Sequence, residues 1–507
     1  PYQVLPQELV TNGDFSNGTT SWTPNTNTTL TIDNGRLKVA ISGAGSGYPS
    51  QSITTVVGKK YKITADAFIG TATKVSLYSA AFGFNDLTAD GSYNLTFTAT
   101  SASTQIRLYV YGDGTFGFWD NISIKEIQEA DFDFSRGSSA TRVNEKGLIE
   151  SIASGLPRID YTSGFGSLLL EPSRTNLNTY SEDLTNRWST SAATVTADTQ
   201  ISPDDSQTAD TITVTQNGGG IYSNDITVTA STSYTFSFYV KRGTVPDDET
   251  ALAVRNQTAG AFISLDISYS ANTDNWTRIE YTFTTPVGCT SVRLYPQRLG
   301  SGGQGTIFLW GCQLEAGSYA TSYIPTSGST VTRSADVANN SGNADLFNDS
   351  EGVLYAEIQG LNDTDIANRY ISLTDGTATN ALMIQYRNSG ELRVYNGGTS
   401  TAQMIYKDSG ADLTENIKVA VKYGTTTGSY KVYINGFSET IEGAFVATAM
   451  SGLDELKFEY VSGSFNFYGN TKELAVFKEA LTDAELESLT SWVSFTEMAT
   501  DLNLTIK

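Results

Sequence analysis

A regular alternation of apolar and polar residues is the feature that most constrains how this chain folds. It recurs in short runs at residues 61–68, 105–111, 234–240 and 430–434, and clusters of Gly, Asn, Asp and Ser separate these runs. A period of two places every second side chain on the same face of a β-strand. Short strands between turn residues are typical of antiparallel sandwiches. The pattern therefore predicts an all-β protein built of antiparallel β-sandwiches.

Helical periodicity is clear in one segment near the C-terminal end, residues 481–492. Thr482 and Glu485 have the spacing of a capping box, in which each side chain bonds the backbone N–H of the other residue. Leu486 and Leu489 follow on one face of the same segment. The pattern predicts one short helix near residues 482–492. The tail from residue 494 onwards is interpreted as a short appendage that adds one final strand at most.

An internal repeat organises the first two thirds of the chain. Four segments recur in the same order: 11–22 resembles 180–188, 52–61 resembles 225–234, 106–111 resembles 292–297, and 114–119 resembles 305–310. The alignment places Trp119 with Trp310. The spacing between corresponding residues grows steadily along the chain, as expected when one architecture carries longer loops in its second copy. We interpret the repeat as two related β-sandwiches.

The repeat divides the 507 residues into four predicted parts, three sandwiches and one connector. This agrees with the length, which predicts about three domains of roughly 150 residues each. The parts are a jelly roll at 1–127, a connector at 128–175, a second jelly roll at 176–336, and a third sandwich with its C-terminal appendage at 337–507. Two hairpins are predicted in the connector, with turns at 144–147 and 163–164. We therefore expect the connector to be ordered.

The connector concentrates arginine within an acidic chain. It contains Arg136, Arg142, Arg158 and Arg174. We expect these side chains to pair with acidic groups of the adjoining sandwiches. The alternative is that they make contacts between subunits.

The composition excludes several kinds of site. The chain has no His, so it has neither a Ser-His-Asp triad nor an imidazole metal ligand. Its two cysteines, Cys289 and Cys312, are too few for a zinc cage or an iron–sulfur cluster, and we interpret them as buried thiols. The net charge of −22 argues against nucleic acid as a partner.

Membrane insertion and export are not predicted either. No run of 18 apolar residues occurs, which is the minimum for a membrane-spanning helix. The N-terminal residues have no basic flank and no apolar core of the kind that marks a signal peptide. We therefore expect synthesis in a cytoplasm.

Three parts of the chain resemble known modules. Residues 1–127, with their Asn-Gly-Asp-Phe opening and their closing strand from Trp119, look like a jelly-roll carbohydrate-binding module. The third part, with its Asn435-Gly436 turn and segment 474–486, resembles the concanavalin A-like and laminin-G-like lectin sandwich. The third resemblance is to a module common in structural proteins of tailed bacteriophages, and the residues that carry it are 134–149, 157–161, 168–177, 180–183 and 310–325.

The resemblance implies a bacteriophage virion protein exposed on the particle, either a fibre or receptor-binding protein of the tail or a capsid decoration. Such a protein adheres to host or environmental surface glycans through its lectin-like modules. Its other implied partners are virion structural proteins and further copies of itself, for example in a trimer. The alternative within the same setting is a purely structural fibre or decoration that binds no glycan.

A polysaccharide depolymerase is the alternative from the enzyme class. Concanavalin A-like glucanases carry a Glu-x-Asp-x-x-Glu strand that supplies paired carboxylates, and this strand is absent here. The short repeats of a parallel β-helix are absent as well. We therefore predict that the chain is not an enzyme.

Sugar binding needs flat aromatic faces and nearby groups that bond hydroxyls. The alternation directs Ile106 and Leu108 towards the core and groups Arg107, Tyr109 and Tyr111 on the opposite face. The second copy repeats this arrangement, and the repeat alignment adds one tyrosine from a neighbouring segment. The predicted carbohydrate contacts are Arg107, Tyr109, Tyr111, Tyr239, Arg293, Tyr295 and Gln297. The alternative is ordinary cross-strand packing or an interface.

The resemblance to carbohydrate-binding modules also implies a structural Ca²⁺ between the opening and closing strands of each jelly roll. Carboxylate and carbonyl oxygens suit this hard cation. By position, the implied ligands are Asp14 and Asp120 in the first copy and Glu182 with Gln313 in the second. The loop from Asn362 to Asp375, which includes Asp363 and Asp365, is a further acidic group. The alternative interpretation is that these residues form Asx turns and caps.

Overall fold

The computed structural model describes residues 2–4, 8–129, 132–298, 302–361, 368–387, 390–397 and 403–491. The chain forms two compact units, residues 1–130 and 131–507. The named strands in both units pair antiparallel, which confirms the all-β prediction. Asn362, Asp363 and Asp365 and the predicted C-terminal appendage lie outside the described residues.

The first unit is a sandwich of two antiparallel sheets. Its strands are β1 (Tyr2–Val4), β2 (Thr23–Pro24), β3 (Thr28–Asp33), β4 (Arg36–Ile41), β5 (Ser46–Gly47), β6 (Pro49–Thr54), β7 (Lys60–Phe68), β8 (Lys74–Ser79), β9 (Gly83–Leu87), β10 (Gly91–Thr98), β11 (Ser103–Tyr111) and β12 (Phe116–Glu129). One sheet has the order β10-β7-β12-β4-β3, with β1 beside β12. The other has the order β2-β6-β11-β8-β9, with β5 beside β11. Trp119, Ile63, Leu77 and Leu108 are buried between the sheets.

The second unit begins with the connector and the second sandwich. Its first strands are β13 (Asp133–Ser135), β14 (Ala140–Val143), β15 (Ile149–Ile152), β16 (Arg158–Asp160), β17 (Ser167–Leu170), β18 (Arg174–Asn176), β19 (Trp188–Ser191), β20 (Ala193–Gln200), β21 (Ala209–Val214), β22 (Gly220–Ser223), β23 (Ile226–Thr227), β24 (Ser233–Arg242), β25 (Ala251–Asn256), β26 (Ala261–Ser268), β27 (Thr277–Thr284), β28 (Ser291–Tyr295), β29 (Gln297–Arg298) and β30 (Gly305–Ala316). The second sandwich contains the sheets β20-β21-β30-β24-β27, β23-β28-β25-β26 and β19-β22-β29.

The third sandwich completes the second unit. Its strands are β31 (Val331–Arg333), β32 (Val337–Asn339), β33 (Glu351–Gly360), β34 (Arg369–Thr374), β35 (Ala381–Arg387), β36 (Glu391–Asn396), β37 (Gln403–Asp408), β38 (Ile417–Gly424), β39 (Lys431–Ile434), β40 (Phe437–Glu439), β41 (Glu455–Lys457) and β42 (Gly469–Phe477). Short 3₁₀ turns occur at Asp247–Glu249 in the second sandwich and at Thr427–Ser429 in the third. The sheet β37-β36-β35-β34-β41 packs on the sheet that contains β33 and β38.

The predicted local features of the third sandwich are confirmed. Helix α1 spans Asp483–Thr490, and Thr482 and Glu485 form the capping box. Asn435 and Gly436 have φ values of +49° and +87°, as a two-residue hairpin turn with two left-handed positions requires. Among the described residues, no helix has the length and apolar composition needed to cross a membrane.

The first two sandwiches share a strand order, which supports the internal repeat. The sheet β3-β4-β12-β7-β10 corresponds to β20-β21-β30-β24-β27. Trp119 lies opposite Ala67 of β7. Ala67 and Val240 are equivalent, because each lies six residues after the aligned tyrosines Tyr61 and Tyr234, and the residue opposite Val240 is Leu309. Trp119 therefore corresponds to Leu309, and the predicted match to Trp310 is displaced by one residue. Trp119 faces the core, while Trp310 lies on the opposite face of its strand and packs against the connector.

The connector is hydrogen-bonded into the second unit. Its hairpins β14–β15 and β16–β17 form at the predicted turns. Strand β17 pairs with β42, so the connector extends the sheet β16-β17-β42-β33-β38-β39-β40. Strand β13 pairs with β32, and β18 pairs with β31. The prediction of an ordered connector is confirmed.

Five buried charged side chains join the connector to the segment that follows the second sandwich. We call Arg136, Arg158, Glu171, Arg333 and Asp336 the buried ion network. Glu171 Oε2 lies 2.7 Å from Arg158 Nη1 and 2.5 Å from Arg333 Nη1. Asp336 pairs with Arg136 at 3.0 Å and also with Arg158. The side chains are at most 2% exposed.

The buried ion network keeps the Glu171 carboxylate charged. Burial alone raises the pKa of Glu171, but Arg333 and Arg158, with hydrogen bonds from Ser322, outweigh it and lower this pKa to about 2. The prediction that connector arginines pair with acidic groups outside the connector is confirmed for Arg136 and Arg158, which pair with Asp336, and for Arg174, which lies 4.0 Å from Glu315. Arg142 instead pairs with Glu150 of the connector itself.

Candidate functional site

One face of the sheet β2-β6-β11-β8-β9 carries a group of aromatic rings. Along β11, Ile106, Leu108 and Val110 are buried in the core, so the intervening side chains point away from it. Neighbouring strands and the segment between β5 and β6 add further rings to the same face. We call Tyr48, Tyr78, Phe84, Arg107, Tyr109 and Tyr111 the first platform.

Tyr109 lies at the centre of the first platform. Its ring centroid is 4.4 Å from that of Tyr48, 5.3 Å from Phe84 and 5.7 Å from Tyr111. Tyr78 meets it edge-on at 6.0 Å. Phe84 is 55% exposed, so the group is open to solvent at this edge. A cluster of rings on an exposed sheet face can stack on the CH side of a pyranose.

Arg107 supplies the polar part of the first platform. Its guanidinium lies 4.9 Å from the Tyr48 ring and 5.5 Å from the Tyr78 ring. Nε donates to Gln105 Oε1 at 2.8 Å, and Nη1 donates to Tyr109 Oη at 3.4 Å. Among the described residues, Arg107 forms no ion pair with a carboxylate. Its charge is therefore available to a ligand that lies on the rings.

The structure brings together Arg107, Tyr109 and Tyr111, as the alternation predicts, and adds three aromatic residues that sequence reasoning missed. Tyr78 could have been found, because residues 74–79 alternate and place it on the outer face of β8. Phe84 pairs with Tyr78 across the β8–β9 hairpin, whereas Tyr48 joins the face beside β6, which is distant from β11 in sequence.

The structure places the carbohydrate contacts predicted in the second copy in different parts of the second sandwich. Arg293 and Tyr295 lie on the outward face of β28, where Arg293 is half-buried and Tyr295 is covered by its neighbours and only 8% exposed. Gln297 is fully buried. Its amide oxygen accepts from Tyr269 Oη at 2.9 Å, and its amide nitrogen donates to the Glu249 carbonyl at 3.2 Å. Tyr239 lies in the opposite sheet, 5.6 Å from Trp310. Gln297 and Tyr239 therefore cannot share a ligand site with Arg293 and Tyr295.

Burial at Tyr239 also changes its chemistry. The ring packs among Trp310, Tyr323 and Ile149 of the connector, and the Arg278 guanidinium lies 5.6 Å from it. Burial raises the pKa of the Tyr239 hydroxyl, with Arg278 opposing this shift. These contacts give Tyr239 a packing role between the second sandwich and the connector.

The implied calcium ligands are engaged in other bonds. Asp14 accepts from the Ser16 hydroxyl at 3.0 Å, and Asp120 accepts from the backbone N–H of Asn121 at 2.9 Å. Glu182 accepts from Tyr323 Oη at 2.8 Å. Gln313 accepts from the Ile324 N–H at 2.7 Å and donates to Glu315 at 2.8 Å. Within the described ranges, no three Cys, Asp or Glu side chains form a group that could hold a metal ion. Calcium also binds backbone and amide carbonyl oxygens, so the structural Ca²⁺ stays a prediction.

A buried carboxyl group, Asp210, lies behind the opening turn of the second sandwich. It accepts backbone N–H bonds from Leu184 at 2.8 Å and Asp198 at 2.9 Å. Burial nevertheless raises the pKa of Asp210 to about 6. The folded protein therefore holds this proton more tightly than the unfolded chain does.

We expect Asp210 to make the protein less stable as the pH rises from about 4 to about 6. Its stabilising contribution is complete below the unfolded-state pKa of 3.8 and is lost as the pH passes the folded value of about 6. The free energy of unfolding of the wild type, minus that of Asp210→Asn, should fall by about 1–2 kcal/mol across this window. Urea unfolding at a series of pH values measures it. A difference that does not vary with pH would contradict the assignment.

A second polar and aromatic group lies on the outer face of the sheet β37-β36-β35-β34-β41. We call Tyr370, Gln385, Glu391, Arg393, Tyr395 and Tyr460 the third-sandwich face. Glu391 pairs with Arg393 and, at 3.1 Å, with Lys407. Arg393 Nη1 donates to Tyr395 Oη at 3.1 Å.

Two buried polar atoms of the third-sandwich face, Gln385 Oε1 and Arg393 Nε, have no hydrogen-bond partner among the residues that the structure describes. The Gln385 amide donates to Tyr370 Oη at 2.5 Å, and burial raises the pKa of Tyr370 to about 12. The Tyr460 ring lies 4.9 Å from the Tyr370 ring. Unpartnered buried polar atoms cost free energy unless a ligand or water satisfies them, which makes this face a candidate ligand surface. Sequence reasoning missed it.

Two segments of the chain match known families. Residues 176–297 match the family described as a carbohydrate binding domain. Residues 347–493, which include the third-sandwich face, match the family described as the N-terminal domain of sialidases. No curated protein matches the chain. The carbohydrate-binding module prediction is thus supported for the second sandwich.

The prediction that the chain is not an enzyme is wrong by this comparison. Residues 347–493 match a domain family that is described as part of sialidases, which are glycoside hydrolases. Neither family description refers to bacteriophages, and the virion role stays a prediction.

Several solved structures share a weak similarity with the chain. The Ruminococcus gnavus IT-sialidase CBM40 bound to α2,3-sialyllactose is 15% identical, over 30% of this chain and 93% of that one, with a TM-score of 0.24. The CBM22-1–CBM22-2 tandem of Paenibacillus barcinonensis Xyn10C is 11% identical over 62% and 99%, with a TM-score of 0.22. The leech intramolecular trans-sialidase is 16% identical over 29% and 24%, with a TM-score of 0.23. Such TM-scores carry no argument about function.

Proposed function

We propose that this chain is a glycan-binding protein that adheres to surface polysaccharides through its jelly-roll sandwiches. The observation that carries the proposal is the first platform, where Tyr109 is surrounded by other aromatic rings beside the unpaired charge of Arg107. The carbohydrate binding domain match at 176–297 supports the same function for the second copy.

The chemistry of the first platform suits a sugar better than a flat apolar partner. Tyrosine rings offer an apolar face for the CH groups of a pyranose and a hydroxyl at the rim. Arg107 and the hydroxyl of Tyr109 can bond sugar hydroxyls at the edge of the stack. Binding at one such open face is weak, and several modules in one particle or chain multiply it by avidity.

The proposed setting is the surface of a bacteriophage particle, and the resemblance of residues 134–149 to phage structural modules supports it. In that setting the chain is made in the host cytoplasm and assembles with other virion proteins as a homo-oligomer. A structural Ca²⁺ is the remaining expectation from the sequence, and a change in thermal stability on adding EDTA tests it. A purely structural fibre without glycan binding is the rival role.

A glycan array probed with the purified chain tests the proposal directly. We expect retention on a defined subset of glycans and an increase in retention when the chain is clustered through a terminal tag, because avidity multiplies weak contacts. Electrophoresis in gels that contain host-surface polysaccharide gives an independent readout. If the clustered chain binds no glycan in either measurement, the adhesion proposal is excluded and the structural role is favoured.

Glycan processing is a second candidate function, which the sialidase N-terminal domain match favours. The third-sandwich face, with Arg393, Tyr370 and the unpartnered Gln385 oxygen, is where an acidic sugar would be held. Incubation with sialyllactose and measurement of free sialic acid tests this candidate. Release above the rate without protein supports processing. Binding without release leaves adhesion as the function.

A further inference from the structure

The second sandwich repeats the strand register of the first platform. In the first copy, Arg107 is the register partner of Tyr78, which in turn pairs with Phe84. In the second copy, Arg293 is the register partner of Arg255, which pairs with Phe262. Phe84 therefore corresponds to Phe262, and Tyr109, two residues beyond Arg107, corresponds to Tyr295. We call Tyr222, Arg255, Phe262, Arg293, Tyr295 and Arg298 the second platform.

The geometry of the two platforms agrees closely. Tyr222 and Tyr295 have ring centroids 5.2 Å apart, against 4.4 Å for Tyr48 and Tyr109. The distance from Tyr295 to Phe262 is 5.7 Å, against 5.3 Å for the corresponding pair in the first copy. Arg293 lies 5.4 Å from the Tyr222 ring, against 4.9 Å for Arg107 and Tyr48. Three rings and one guanidinium are thus preserved between the copies.

The second platform differs from the first in its additional guanidinium groups. Arg255 stands where the first copy has Tyr78, directly opposite Arg293 on the neighbouring strand. Arg298 lies 4.6 Å from the Phe262 ring and 5.8 Å from the Tyr295 ring. The second platform therefore presents three guanidinium groups among its rings, where the first presents Arg107.

The compensation of these charges is incomplete. Arg293 pairs with Asp225 at 2.5 Å, and Arg298 lies 4.0 Å from Asp266. Within the described part of the chain, Arg255 has no carboxylate partner and donates to the Gly260 carbonyl at 3.1 Å. Like charges directly opposite each other on neighbouring strands are unfavourable unless an anion lies between them. The Arg255–Arg293 pair is such a position.

We infer that the second platform is a separate binding site for carboxylate-bearing polysaccharides, whereas the first platform takes neutral ones. The inference rests on the proposed glycan binding and names the substrate class of the second site. A carboxylate between Arg255 and Arg293 accepts hydrogen bonds from both guanidinium groups, and the planar fork of arginine matches its two oxygens. The sugar ring then stacks on Tyr222, which is partly exposed and lies against the buried Tyr295 ring.

A single exchange between the copies tests the inference in the full-length chain. Arg255→Tyr gives the second platform the residue of the first, and Tyr78→Arg makes the reverse change. The probes are polygalacturonate and its methyl ester, which share one backbone and differ in charge. Arg255→Tyr should lower the ratio of acidic to neutral affinity about tenfold, since it removes one charged hydrogen-bond donor. Tyr78→Arg should raise the same ratio.

Lys146→Gln, which removes an exposed cation of the connector, is the matched control and should leave the ratio unchanged. Arg255→Gln serves as a second variant if Arg255→Tyr does not fold, as judged by circular dichroism. A wild type that binds both probes, with a ratio that neither Arg255 variant lowers, overturns the inference and leaves the proposed function intact. A wild type that binds neither these probes nor any glycan on the array overturns both.

Discussion

Arg158→Met should lower the free energy of unfolding of residues 131–507 by about 3–5 kcal/mol, the usual cost of removing one partner from a buried ion pair. Arg158 bonds Glu171 and Asp336, and both carboxylates are buried. Without this guanidinium, each keeps a charge that burial penalises, and Arg136 and Arg333 alone must compensate for them. A loss of this size is a large fraction of the stability of an ordinary domain.

Urea unfolding followed by circular dichroism measures the effect. Arg142→Met is the matched control, because Arg142 belongs to the same connector but pairs with Glu150 at a partly exposed position. The control should lose no more than about 1 kcal/mol. Equal losses in the two variants would show that the buried ion network contributes no more than a surface pair does.

Replacing Tyr109 and Tyr111 together by alanine should weaken glycan binding at the first platform by at least about tenfold, as expected when the central aromatic anchors of a binding surface are removed. Tyr109 contacts Tyr48, Phe84 and Tyr111, so its loss opens the middle of the platform. Both side chains point away from the core, and the fold should be retained. Titration with the neutral glycan that the array identifies gives the affinity.

The matched control for this double variant is Phe437→Ala. Phe437 is 70% exposed on a hairpin of the third sandwich, far in sequence from the first platform. The Phe437→Ala variant should bind the neutral glycan as the wild type does. Undiminished binding by Tyr109→Ala with Tyr111→Ala would place the neutral site elsewhere, and equal losses in both variants would indicate a general effect of exposed aromatic residues.

Much of the fold could be predicted because its determinants are local. Alternation identified the main strands, Thr482 and Glu485 identified the helix start, and Asn435-Gly436 identified a hairpin. The grouping of Arg107 with Tyr109 needed only the period of a single strand. The neighbours that complete the first platform depend on strand pairing, which a single sequence does not specify.

The errors arose where regular geometry is interrupted. Pro296 lies between β28 and β29, so the alternation that holds through Tyr295 does not continue to Gln297, which turns inward. Trp310 was matched to Trp119 from a shared sequence motif, but the register with the neighbouring strand places Leu309, not Trp310, at the equivalent position. Tyr239 was placed by repeat alignment, which does not show that its sheet is the opposite one.

The pairing of β17 with β42 has a consequence for how the chain is made. Ser167 and Asn470, which bond each other beside this pairing, are 303 residues apart in the sequence. Translation proceeds from the N-terminus, so β17 leaves the ribosome long before its partner exists. The outer edge of that strand stays open during synthesis of the second and third sandwiches, and closure of its sheet is among the last folding events. A chain that stops before residue 469 would carry an exposed strand edge, which is a recognised starting point for aggregation.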